Sequence, residues 1–123
     1  LDSAGIEASQ LGFISGHGTG TPIGDVAESN ATRDVYGEDI PFHTLKGNFG
    51  HTLGACGGIE AWLGIEMMRE GWLSPIANLD NLDPKCAPLN YVRGEAAPVQ
   101  AEYFASNNFA FGGINTSLVF ARA

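Results

Sequence analysis

The sequence predicts an α/β fold in which a central mixed sheet carries packed helices, in the order β-α-β-α-β-β. Three observations predict it. Short apolar runs stop abruptly at glycine-rich turns, two stretches free of turn residues repeat apolar side chains near helical spacing, and two β-rich runs close the chain around a Gly-Gly bend. The glycines, 17 in 123 residues, cluster beside histidine, threonine and phenylalanine, which marks tight turns and not a flexible linker.

Residues 1–10 read as the tail of a helix. Leu11-Gly12-Phe13-Ile14-Ser15 is the first strand and ends at Gly16-His17-Gly18, so a histidine leaves a buried strand end. Beyond Pro22 and Gly24, residues 25–36 hold Val26, Ala27, Ala31 and Val35 near helical spacing, with Gly37 as the stop: a helix opening on Asp25. Pro41-Phe42-His43-Thr44-Leu45 reads as a short strand, and Lys46-Gly47-Asn48-Phe49-Gly50-His51 as a second histidine-bearing turn. Residues 53–70 form a long helix, apolar around much of its circumference and buried on more than one side, with Trp62, Met67 and Met68 in the core.

Residues 74–88, with Pro75, Pro84 and Pro88 among Asn78, Asp80, Asn81 and Asp83, form a structured loop. Tyr91-Val92 follows as a brief strand. Residues 101–106 and 114–120 then pair as antiparallel strands through Phe109-Ala110-Phe111-Gly112-Gly113. Residues 1–123 read as one domain without internal repeats.

Composition narrows the function. Hydrophobic residues make up 44%, enough for a core, and six basic against fourteen acidic residues give a net charge of −8. That balance disfavours nucleic acid and anionic membranes as partners. No apolar run reaches the roughly 20 residues that span a bilayer. Cys56 and Cys86 lack CxxC spacing, so no metal site is expected, and a reducing, cytoplasmic compartment is. Asp80 and Asp83 supply too few ligands for a calcium loop. Gly18-Thr19-Gly20 lacks the Gly-Lys-Ser or Gly-Lys-Thr of a phosphate loop, and Ser15 lacks a nucleophile elbow.

The chemistry concentrates in three glycine-flanked turns, residues 16–25, 46–51 and 107–113, which an α/β unit can gather at one end of its sheet. They hold two imidazoles, an ammonium, hydroxyls and backbone amides freed by glycine. Two converging imidazole N–H donors suit an enolate oxygen, and preorganised donors are worth about 10²–10³ in rate each. Decarboxylation needs no carboxylate base, because the electron pair is left without a proton being removed. His43 lies outside these turns and reads as structural or exposed.

His17-Gly18-Thr19-Gly20-Thr21-Pro22-Ile23-Gly24-Asp25, Lys46-Gly47-Asn48-Phe49-Gly50-His51 and Asn107-Asn108-Phe109-Ala110-Phe111-Gly112-Gly113 resemble, in order and spacing, the three signatures of β-ketoacyl synthases. The likeness runs from about Leu11 to Phe120. It implies a thiolase-like fold, of which this chain is the C-terminal half, and decarboxylative condensation of an acyl thioester with malonyl-acyl carrier protein. It further implies that His17 and His51 stabilise the enolate, and that Lys46 organises the site through its carboxylate partners Asp25, Glu28 and Glu60. Thr19 and Thr21 resemble the hydroxyls that bind phosphopantetheine amides. Phe111 resembles a gate whose N–H joins the thioester oxyanion hole, with Gly112 and Gly113 allowing movement and Phe109 in support.

Ala110 departs from the glycine usual between the two phenylalanines. The family's nucleophilic cysteine belongs to an earlier half, and neither Cys56, read as lying inside a helix, nor Cys86 occupies its place. Expected accordingly are a missing N-terminal half, a homodimer when intact, no metal or redox cofactor, exposed apolar surface, and inactivity of this piece alone. Fatty acid elongation is the first reading. A polyketide ketosynthase and a non-catalytic partner subunit of the chain-length-factor kind are the alternatives.

Overall fold

A computed structural model describes residues 1–123. The elements are β1 (Leu11–Ser15), α1 (Pro22–Tyr36), β2 (Phe42–His43), the single-turn α2 (Lys46–Phe49), α3 (Cys56–Glu70), β3 (Trp72–Leu73), β4 (Ala97–Pro98), β5 (Tyr103–Phe109) and β6 (Asn115–Ala121). The main sheet has the order β2-β1-β5-β6. β1 runs parallel to β2 and β5, with Ser15 beside both His43 and Ser106, and β6 returns antiparallel to β5. The predicted mixed sheet and element order hold, with α2 and the small β3–β4 pair added.

The adjacent residues Phe13 and Ile14 of β1 feed two cores. Phe13 joins Leu45, Met67, Met68, Leu73 and Phe104 under α3, whereas Ile14 joins Leu11, Phe42, Ala87, Leu89 and Ala105 on the opposite face. Period-two alternation places these neighbours on opposite sides of the sheet. Phe13 stacks on Phe104 with ring centroids 4.6 Å apart. α3 approaches the sheet closely at Gly64, where a Cβ would lie 2.6 Å from the Phe104 ring.

Several expectations are corrected. Residues 1–10 form two short 3₁₀ turns and no α-helix. α1 starts at Pro22, three residues before Asp25, because proline fits the first helical position, where its missing N–H costs nothing. The buried face of α1 is polar, formed by Glu28, Ser29 and Thr32, while Ala27, Ala31 and Val35 face outward. Trp62 is 60% exposed, although Met67 and Met68 are core residues as expected. The second predicted strand shrinks to Phe42–His43, the Lys46 turn closes into α2, and Tyr91 makes only an isolated bridge to Phe42. Apolar side chains do stand exposed, including Ile23, Leu53, Phe111, Ile114 and Leu118. No helix is long and apolar enough to cross a membrane.

Candidate active site

Because β1, β2 and β5 are parallel, their C-terminal ends lie together, and the three glycine-rich turns meet there. His17 follows β1, Lys46 and His51 follow β2, and Asn108 and Phe109 end β5. The His17 and His51 rings stand perpendicular with centroids 5.2 Å apart. Phe109 sets its ring edge-to-face on His17 at 6.2 Å.

The His17 turn is held from beneath by Glu28. Its two carboxylate oxygens accept the backbone N–H groups of His17 and Gly18, at 2.6 and 2.7 Å. Gly18 is needed there: its φ is +45° and a Cβ would lie 2.6 Å from Thr44. Burial pushes the Glu28 carboxyl up, opposed by those two hydrogen bonds. Asp25 serves the same turn by accepting the Gly20 N–H at 3.1 Å.

Lys46 is paired with Glu60 alone, in an ion pair whose side chains are 5% and 1% exposed. The expected three-carboxylate shell is therefore corrected. Glu28 spends both oxygens and Asp25 its Oδ1 on backbone N–H groups that α1 brings within reach, leaving Glu60 from α3 for the ammonium. Desolvation makes such a pair tolerable only when both partners are present.

Tautomers follow from the partners. His51 Nδ1 accepts the Leu53 N–H at 3.0 Å, so the neutral ring carries its hydrogen on Nε2 as a donor. Leu53 adopts φ +52°, a left-handed conformation costly for a β-carbon-bearing residue, and this bend delivers its N–H to the ring. His17 Nδ1 lies 3.2 Å from Asn108 Oδ1, which holds the hydrogen on Nδ1 and leaves a lone pair on Nε2. Turning the Asn108 amide over presents Nδ2 to the same nitrogen and moves the ring hydrogen to Nε2. Burial, then the Lys46 ammonium, hold the His17 imidazole below its ordinary value, favouring the neutral ring; His51 adds to this, while Asn108 and Asp25 oppose it. The resting pair thus offers one fixed donor and one set by Asn108, not two fixed donors.

Thr19 and Thr21 place their hydroxyls 3.0 Å apart at the rim. Phe111 is fully exposed on the β5–β6 turn, where Gly112 and Gly113 have φ +84° and +78°. His43 is fully buried and structural, its ring nitrogens without hydrogen-bond partners, and burial pulls it down to about 4. Two neighbours escaped sequence reasoning. Asn108 sits inside a recognised motif without an assigned role, and Cys56 opens α3 instead of lying within it, its Sγ 3.3 Å from Asn108 Oδ1. The five-residue step from His51 to Cys56 at a helix start was the available signal. Cys56 and Cys86 are both free thiols.

Comparison with known proteins gives a consistent result. The family model for the β-ketoacyl synthase C-terminal domain matches residues 1–80. The 3-oxoacyl-[acyl-carrier-protein] synthase 2 of Synechocystis sp. is 36% identical over 125 residues, covering 99% of this chain and 30% of that protein. A β-ketoacyl synthase from Burkholderia phymatum STM815 superposes with a TM-score of 0.98 at 55% identity, over 100% of this chain and 30% of that one. The ishigamide ketosynthase/chain length factor gives 0.94 at 35% identity, again over 100% and 30%. The chain spans about 30% of the length of the curated relatives it matches.

Proposed function

We propose, from the premise that this chain belongs to the β-ketoacyl synthase family and is its C-terminal domain, that the intact enzyme condenses an acyl thioester with malonyl-[acyl carrier protein] in fatty acid elongation. The observation that carries this reading is the perpendicular His17–His51 pair at the sheet end, braced by Glu28 and the Lys46–Glu60 ion pair.

In the proposed first step the bond between the malonyl α-carbon and its carboxylate breaks. Carbon dioxide leaves, and the electron pair flows onto the thioester oxygen as an enolate. The His51 Nε2–H donates to that oxygen, and His17 adds a second donor when the Asn108 amide is turned. Each well-placed donor is worth about 10²–10³ in rate. In the second step the enolate carbon attacks the acyl thioester and its sulfur departs as thiolate, giving a β-ketoacyl product without any proton abstraction.

A companion N-terminal half is proposed to supply the acyl-carrying cysteine, so this piece alone condenses nothing. Lys46 positions the turns and does not act as a base. Thr19 and Thr21, at the rim, are assigned to the phosphopantetheine amides of the carrier. The Phe111 turn, with Gly112 and its neighbour in left-handed conformations, is assigned to gating, with Phe109 behind it. The steps call for no metal or redox cofactor. The partners proposed are acyl carrier protein and a second copy of the intact chain, in the cytoplasm, a compartment the free thiols suit.

A polyketide ketosynthase is the second reading, favoured by the likeness to the ishigamide ketosynthase/chain length factor. The test is product analysis of the full-length protein given acyl and malonyl thioesters on fatty acid and on polyketide carrier proteins. A β-ketoacyl product on the fatty acid carrier supports the first reading, and product on the polyketide carrier alone supports the second. No product on either refutes both and leaves a non-catalytic partner role.

A further inference from the structure

We infer that His17, His51 and Cys56 form a chelating site for a thiophilic divalent cation of the zinc class, and that occupancy shuts the enolate site. One ring nitrogen of each histidine and the Cys56 Sγ lie within 4.8 Å of one another. Zinc takes imidazole nitrogen at about 2.0–2.1 Å and thiolate at about 2.3 Å, and three protein ligands leave its fourth position open. A tetrahedral ion needs its ligand atoms somewhat closer than 4.8 Å. The exposed His51, carried on the short turn before α3, closes that gap by giving up the Leu53 N–H that holds it in the resting site.

The surroundings match what such an ion needs. A metal-binding histidine characteristically donates its other ring N–H to a carbonyl oxygen, which fixes the tautomer and raises ligand basicity. Asn108 Oδ1 occupies that position on His17 Nδ1, leaving the Nε2 lone pair for a cation. The same oxygen takes the Cys56 Sγ–H, so one amide orients two of the three ligands. Cys56 is the first residue of the fifteen-residue α3, and its Sγ is oriented by the contact with Asn108. On binding, the thiol proton passes to solvent and His51 exchanges the Leu53 N–H for the cation.

The consequence rests on the functional reading above. A cation here takes the His17 Nε2 lone pair and, by binding His51 through Nδ1, draws that ring out of the position in which its Nε2–H would meet an enolate oxygen, so it competes with malonyl thioester. Cys56 has no part in the condensation, which makes it the residue that turns a catalytic histidine pair into a chelator. Binding itself is independent of that reading.

The test titrates cobalt(II) into the full-length protein without substrate and follows thiolate-to-cobalt charge-transfer absorption, with zinc added in competition. Wild type is expected to show one saturable site per chain, abolished by zinc and missing in Cys56→Ala. In parallel, the zinc concentration that halves malonyl decarboxylation, taken relative to each protein's own metal-free rate, is expected to rise about tenfold or more in Cys56→Ala. Cys56→Ser keeps a hydrogen-bond donor toward Asn108 and controls for folding; it should lack the charge-transfer band as well. No band in wild type, or a band and inhibition that survive unchanged in Cys56→Ala, overturns the proposal. A band without any decarboxylase activity instead leaves the metal site standing and refutes the condensation reading.

Discussion

Glu28 holds His17 through the backbone and not the ring: its carboxylate accepts the main-chain N–H of His17 at 2.6 Å and that of Gly18 at 2.7 Å from below the turn. Glu28→Gln retains the shape but leaves at most one good acceptor for two buried donors. Hydrogen bonds to charged groups contribute about 1.5–3 kcal/mol, so a stability loss of that order is expected in urea unfolding of the full-length protein. Malonyl decarboxylation should fall through kcat, since the imidazole is displaced and its chemistry retained. An unchanged kcat with unchanged stability contradicts the assigned role.

The Lys46–Glu60 pair, nearly withdrawn from solvent, predicts an asymmetric mutational response. Lys46→Ala or Glu60→Ala leaves an uncompensated buried charge and is expected to cost about 3–5 kcal/mol. The double variant Lys46→Met with Glu60→Leu should recover much of that loss, because an apolar pair of similar volume replaces both charges together. Additive losses in a double-mutant cycle of unfolding free energies speak against a coupled pair.

Much of this arrangement was legible in the sequence because glycine punctuates it. Only glycine tolerates the Gly18 conformation under Thr44, and that requirement prints itself as a His-Gly-Thr-Gly turn at a strand end. The closing β5–β6 hairpin was similarly visible from its Gly112-Gly113 bend. The partners of Lys46 were not legible, because spacing along a helix cannot say whether a carboxylate turns to a side chain or to backbone N–H groups. Nor was the outward face of α1, where Val35 lies exposed while Glu28, Ser29 and Thr32 are buried. There the site's demand for polar groups overrides the apolar periodicity. Trp62 misled for a related reason: an all-round apolar helix implies two covered faces, and the sheet covers one.

Acid sensitivity should trace in part to His43. The folded ring accepts its proton only near pH 4, against 6.5 ordinarily, so between those values the unfolded chain binds more protons. Stability from this group is therefore full above pH 6.5 and declines as pH falls toward 4, by about 3 kcal/mol in all. His43→Leu should flatten that part of the profile when unfolding free energies are compared at pH 7, 5 and 4. A parallel decline in wild type and variant removes His43 as the cause.

Gly18→Ala tests the backbone requirement beside the His17 ring. The substitution meets a φ of +45° and a Thr44 side chain 2.6 Å away, and a loss of about 1–3 kcal/mol is expected in thermal or urea unfolding. Gly20→Ala, with a positive φ of 69° but open space around its Cβ, should cost less. Equal losses at both positions show that the close contact with Thr44 contributes nothing.

The most direct measurement of the central claim is carbon dioxide release from malonyl-[acyl carrier protein] by the full-length protein, comparing wild type with His17→Ala and His51→Ala. Loss of about 10²–10³ in rate for each variant, with folding intact by circular dichroism, is the predicted result. Undiminished release in both variants contradicts the assignment of the histidine pair to the enolate.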